Sequence, residues 1–218
     1  MPGPYAGALA LKSGFLRAIR LPVNDLIIYQ DSRFQPVTHA SVFLQEETLH
    51  LYNKPGLKVL ELGSGSGIVS IMLALHRPDW IITGLEIQEQ EVILAQDNAK
   101  LCNVKVDFIQ ADLRAWVSDQ DFDLIISNPP WLPVGSGLSS PLESRRIGRE
   151  ELSCSMDDLI TSIQRLSTAD TETLLIYPRD RESEFCSKLQ KTSLDTIQVL
   201  HSSDFKRYFI SQIRKIKE

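Results

Sequence analysis

The chain has 218 residues, 43% of them hydrophobic and 23% charged, enough to bury a good core in one domain. Its net charge of −5 argues against a protein that coats nucleic acid non-specifically, while leaving room for a local basic patch. Cys102, Cys154 and Cys186 are odd in number, far apart and without a C-x-x-C pair, so neither a disulfide framework nor a structural zinc site is expected. A reducing, cytoplasmic setting follows, and no apolar run approaches the roughly 20 residues that cross a bilayer.

Residues 1–24 carry Lys12, Arg17 and Arg20 with no acid before Asp25. The basic residues follow the apolar stretch Tyr5–Leu11 instead of preceding it, which argues against a secretory signal. The segment reads as a leader or as an element packed on the core. Leu26–Tyr29 is expected to be extended and Ser41–Leu51 helical, so that residues 1–52 form an extension that covers a ligand. Residues 53–218 form the main domain.

From Leu57 onward short apolar runs alternate with helical patterns. Leu57–Leu62 is a predicted buried strand ending in the turn Gly63-Ser64-Gly65-Ser66-Gly67, and Ile68–Leu75 a helix. Trp80–Leu85 is the next strand, and Gln88–Leu101 a helix with Val92, Ile93, Ala95 and Ala99 at helical spacing. Val104–Ile109 and Phe122–Ile126 are further strands. Beyond a polar stretch come a helix over Ser155–Leu166, a strand over Thr173–Tyr177 and a helix around Arg181–Leu189. Two β-type runs, Ile197–Leu200 and Tyr208–Ile213, are expected to close the chain as an antiparallel hairpin at the sheet edge. Strands alternating with helices imply an α/β, doubly wound, mostly parallel sheet with helices on both faces. Ligands of such folds sit at the carboxyl ends of the strands.

The turn Glu61-Leu62-Gly63-Ser64-Gly65-Ser66-Gly67 joins a strand to a helix, and its glycines let backbone approach a ligand closely. A dinucleotide-binding turn reads G-x-G-x-x-G and holds pyrophosphate at a helix N-terminus; this one is G-x-G-x-G preceded by an acid. A tight turn with no ligand is the plainer reading. Glu86 weighs against it, because it ends the next strand where an acid accepts bonds from both hydroxyls of a ribose. Asp112, just past the following strand, is suited to an adenine amino group.

These three motifs, in order and spacing, resemble the class I S-adenosylmethionine methyltransferases, and the resemblance spans roughly residues 34–215. It implies a seven-stranded Rossmann-like sheet. It places Glu61, Gly63, Ser64, Gly65 and Gly67 on the methionine portion of the cofactor. Glu86 falls on the ribose and Asp112 on the adenine, and Ile87 and Leu113 are also assigned to the cofactor. A nicotinamide cofactor is the rival.

Phe122–Ile126 runs into Ser127-Asn128-Pro129-Pro130-Trp131, where two prolines end the strand because neither can donate to a ladder. A rigid strand exit is the plain reading. The chemical reading is that the Asn128 carboxamide oxygen and the Pro129 carbonyl each accept an N–H bond from a planar NH2 group. Those bonds localise a delocalised lone pair and aim it at a methyl donor. Trp131 offers a flat face for stacking. The motif resembles the N-P-P-[YFW] loop of amino-group methyltransferases, which act on adenine or guanine in nucleic acid or on a protein glutamine. Phe34–Ser41 stands where their cofactor-covering element begins. Thr38 is assigned to the cofactor and His39 to a structural or cofactor-adjacent role.

Ser140–Glu151 resembles the S-P-x-E-x-[KR]-x-x-[AG]-R-x-E segment of the tRNA adenine-N6 methyltransferases that modify valine tRNA. Trp131 stands where that family more often has Tyr or Phe, and Gly148 where it has Ala. The resemblance implies an RNA substrate, held in part by Arg145, Arg146 and Arg149 near the catalytic mouth. Lys206, Arg207, Arg214, Lys215 and Lys217 form a second basic group, and each cluster also fits plain solvated charge. The competing reading is a glutamine methyltransferase of the release-factor type, whose helical N-terminal domain has no room here. A cofactor-binding subunit with an inert site is the non-enzymatic alternative, against which the intact Asn128 and both prolines weigh. No metal ligand set and no membrane partner are expected.

Overall fold

The computed structural model describes residues 14–131 and 154–216. Two strands, β1 (Leu16–Arg20) and β2 (Ile27–Asp31), pair antiparallel as a separate small sheet. No sequence pattern announces the first, because in LRAIR two arginines interrupt apolar residues that are themselves only half-buried or exposed. Helix α1 (His39–Leu51) follows, starting close to Thr38, its N-terminal flanking residue.

Seven strands build the main sheet: β3 (Lys58–Leu62), β4 (Ile81–Glu86), β5 (Asp107–Gln110), β6 (Leu124–Ser127), β7 (Glu172–Pro178), β8 (Leu194–His201) and β9 (Tyr208–Lys215). Their spatial order is β5-β4-β3-β6-β7-β9-β8. The five strands from β5 to β7 are parallel, and β9 runs antiparallel to both neighbours. The C-terminal pair is therefore the expected antiparallel hairpin, with the last strand inserted between β7 and the edge strand β8. Order reverses between β3 and β6, the kind of point at which open α/β sheets bind ligands.

Helices α2 (Ile68–His76), α3 (Glu89–Leu101), α4 (Met156–Leu166) and α5 (Glu182–Leu189) complete the chain, with a short 3-10 turn at Arg179–Arg181. Successive side chains of a strand point to opposite faces. In β7, Leu174 and Ile176 join the core that holds Phe43 of α1, Ile71 of α2 and Ala95 of α3. Leu175 and Tyr177 join the opposite core with Leu159 of α4 and Phe185 of α5. The same split recurs in β9 between Tyr208 and Ile210 on one side and Phe209 and Ile213 on the other. This is the doubly wound α/β architecture expected from the sequence. Helix α4 begins in a capping box: Ser155 Oγ accepts the Asp158 amide, and the Asp158 carboxylate accepts the Ser155 amide.

Candidate active site

A cleft opens at the carboxyl ends of β3, β4, β5 and β6. Glu61, Gly63, Ser64, Gly65, Glu86, Ile87, Asp112, Leu113, Asn128, Pro129 and Pro130, all singled out from the sequence, line it together. Thr38, Gly67 and Trp131 do not, and Arg145, Arg146 and Arg149 lie outside the described residues.

The glycine turn is fastened to its own surroundings. The amides of Gly63 and Ser64 both donate to the Leu85 carbonyl, at 2.9 and 2.8 Å. The Gly65 amide donates to Glu86 Oε2 at 3.0 Å and the Gly67 amide to the Ser64 carbonyl at 2.9 Å. Four N–H groups that a pyrophosphate-binding turn would offer to an anion are thus already used. Gly67 serves packing: with φ of 84°, a Cβ there would lie 2.6 Å from the Phe108 ring.

Glu61 is buried at the end of β3, and its carboxylate accepts both the amide and the hydroxyl of Ser70. Burial pushes its pKa up to about 8 against those bonds, and the nearby Glu86 adds to the rise. Glu86 is also buried and raised, opposed by N–H bonds from Gln88 and Gly65. Each of its oxygens accepts one such bond, which leaves acceptor capacity for hydroxyls. Asp112 differs. Arg114 grips it bidentately and also donates its amide, which holds the carboxyl below its ordinary range.

At the mouth, the Asn128 side-chain NH2 donates to Ser41 Oγ of α1 at 3.2 Å, while Asn128 Oδ1 is buried with no partner. Its neighbour Ser127 donates its hydroxyl to the Leu62 carbonyl at 2.7 Å, locking the ends of β6 and β3 together. Trp131 packs against Tyr208 with ring centroids 5.0 Å apart, and its carbonyl accepts from Nη1 of the buried Arg181 at 2.9 Å.

Sequence patterns alone did not reveal Glu91, buried in the first turn of α3 and lining the cleft. Burial, then the charges of Glu86 and Asp31, push it up to about 8. Nor did they reveal Asn98, whose amide bonds both the N–H and the carbonyl of Tyr29 at 2.8 Å and the Ser66 carbonyl at 3.0 Å. One side chain thereby ties β2 to the glycine turn. Both contacts join positions far apart in sequence, so no local spacing announces them.

The raised carboxyls have a consequence for stability. Glu61 and Glu91 hold protons in the fold at pH values where an ordinary carboxyl, near 4.5, has lost them. Their contribution is complete below about pH 4.5 and is lost as pH rises through about 8. Thermal midpoints of the ligand-free chain are expected to fall between pH 5 and 8.5, and Glu91→Gln to flatten that fall. A rising midpoint in this window contradicts the assignment.

Among the described residues, the cleft lining holds four acids, Glu61, Glu86, Glu91 and Asp112, and no Lys or Arg. It also holds buried polar atoms without partners: Gln35 Oε1, Ser64 Oγ, Glu91 Oε1 and Asn128 Oδ1. Such a surface suits a ligand rich in N–H and O–H donors, and with no cationic side chain in this lining it offers a pyrophosphate no counter-charge. S-adenosylmethionine fits that description.

Residues 37–137 match the family model of the methyltransferase small domain. The chain is 36% identical over 124 residues to a tRNA1(Val) (adenine(37)-N6)-methyltransferase of Glaesserella parasuis serovar 5, an alignment covering 56% of this chain and 52% of that one. It is 37% identical over 109 residues to a release factor glutamine methyltransferase of Lactococcus lactis subsp. lactis, covering 50% and 40%. The chain therefore spans about half the length of the curated relatives it matches, or less. The ribosomal protein L11 methylase of Lactobacillus delbrueckii subsp. bulgaricus shares the fold, with a TM-score of 0.63 at 18% identity, covering 86% and 84%. Among the described residues no group of side chains could hold a metal ion, and no helix is long and apolar enough to cross a membrane.

Proposed function

We propose that this methyltransferase domain transfers the methyl group of S-adenosylmethionine to an exocyclic amino nitrogen, adenine N6 in tRNA being the favoured acceptor. The observation that carries the chemistry is Asn128 Oδ1, a buried acceptor without a partner beside an acid-lined cleft. When bound, the cofactor supplies an activated methyl on a sulfonium cation. Glu86 would receive the ribose hydroxyls, Glu61 and the Gly63–Gly65 turn would flank the methionine portion, and Ile87 and Leu113 would face the adenine.

Ser41 orients the Asn128 amide so that its oxygen is left for the acceptor amine. Asn128 Oδ1 and the Pro129 carbonyl each take one N–H, which frees the nitrogen lone pair for in-line attack. Positive charge growing on that nitrogen strengthens both bonds in the transition state, the differential binding that catalysis requires. The alkylated nitrogen is acidic and gives its proton to solvent, so no strong base is needed.

Substrate choice rests on the Ser140–Glu151 segment and on the similarity to the tRNA enzyme; Arg145, Arg146 and Arg149 would contact phosphate, and Trp131 would stack on a base splayed from the RNA. A protein glutamine is the second reading, favoured by the comparable similarity to the release-factor enzyme. A cytoplasmic location is proposed with either. Labelled-methyl transfer into separated tRNA, rRNA and protein fractions from a strain lacking the gene decides between them. Label in tRNA is expected, and label confined to protein overturns the RNA acceptor.

A further inference from the structure

Glu91 has no part in the chemistry above, yet its place is unusual. The residue is 4% exposed, lines the cleft, and leaves Oε1 buried with no hydrogen-bond partner. Leaving a buried carboxyl oxygen unpaired is costly, and a structural role would have supplied a donor from the protein itself. The groups around it supply none. Glu86 lies close enough on β4 to repel it, as does Asp31 at the end of β2, whose own carboxylate is taken by Arg33. Glu91 Oε2 sits 3.4 Å from where a Cβ of Gly65 would be, so the carboxyl group lies directly beside the glycine turn. The Gly65 amide bonds Glu86. Glu86 and Glu91 thus stand on one side of the cleft, beside the same glycine.

We propose that Glu91 is a second cofactor-binding carboxyl group, sharing the ribose hydroxyls with Glu86. Two adjacent hydroxyls offer two O–H donors and two acceptors. Two carboxyl groups side by side present four oxygens to those hydroxyls, and Glu91 Oε1, which has no partner in the fold, is one of them. The acid pair also favours the nucleoside sugar over any phosphate-bearing ligand at this position.

The inference rests on the cofactor reading above, and the experiment separates the two. Binding of S-adenosylhomocysteine and of its 2′-deoxy and 3′-deoxy analogues is measured by calorimetry, without any methyl acceptor, for the unaltered chain, Glu91→Gln and Glu91→Leu. The unaltered chain is expected to prefer the full ribose. Glu91→Leu is expected to lose roughly ten-fold or more in affinity for it, with a much smaller loss for at least one deoxy analogue. Glu91→Gln, which keeps a donor and an acceptor, is expected to recover part of the loss. Equal losses for all three ligands, or none, overturn the role of Glu91. Failure of the unaltered chain to bind any of the three overturns the cofactor reading instead. Thermal unfolding of each variant checks that the fold is kept.

Discussion

Replacing Asn128 with Ala is expected to lower the methyl-transfer rate by about 10²–10³-fold, the usual effect of removing one preorganised hydrogen-bonding group from a transition state. Affinity for S-adenosylmethionine is expected to stay close to that of the unaltered chain. The separation follows from geometry. The Asn128 amide nitrogen is tied to Ser41, and its oxygen is free for the acceptor amine. The acids at the other strand ends would hold the cofactor, and they are untouched. Asn128→Asp is a sharper control, since it keeps an acceptor but adds a charge to a cleft already holding four acids. Single-turnover rates and calorimetric titration measure the two quantities separately. Normal turnover in Asn128→Ala removes the residue from the chemistry; a parallel loss of cofactor binding moves it to the cofactor site.

Gly67→Ala is expected to destabilise the fold by about 2–5 kcal/mol, from a left-handed backbone that costs a Cβ-bearing residue roughly 1–2 kcal/mol and overpacking against a core ring. The new Cβ would lie 2.6 Å from one Phe108 atom and 3.1 Å from another, and 3.0 Å from the Ala95 Cβ. Phe108 also fills the space a Cβ on Gly84 would take, 2.7 Å from its Cδ1, so the ring is seated between two glycines. Gly56 supplies the comparison. It has φ of 69° and nothing within 4 Å of its Cβ position, so Gly56→Ala should show the backbone cost alone. Urea midpoints at one pH measure both. Equal losses in the two variants would show that Phe108 gives way and that the third glycine of the turn is needed for φ only.

The sheet and the cleft were largely legible in the sequence because their signals are local. Apolar runs bounded by glycine gave the strands, and Asn128-Pro129-Pro130 sits where a strand must stop. Glu86 could be placed from its position at a strand end. What escaped depends on distant partners. Glu91 reads as one acid among the charges of a polar helix until β2 and the glycine turn close over it. Asn98 reads as a helix residue until its amide meets Tyr29 and Ser66. Arg181, buried against Glu184 and the Trp131 carbonyl, reads as surface charge. The strand Leu16–Arg20 escaped for another reason, since three apolar residues broken by two arginines, none of them buried, carry little apolar signal.

Two assignments gain detail from the fold. Asp112 lines the cleft, but the grip of Arg114 means that a cofactor amino group would share a carboxylate already engaged. Trp131 is held by Tyr208 and by Arg181, so any stacking on a base would use a ring already fixed in place.

The most direct test is the position of the transferred methyl. The purified chain, S-adenosylmethionine carrying a labelled methyl and an unmodified acceptor are combined, and the product is digested and identified by mass. Label on an exocyclic or side-chain amino nitrogen, N6-methyladenosine first among them, is the expected result. Label on a ring nitrogen, a carbon or a hydroxyl oxygen would contradict the role given to Asn128 and the two prolines.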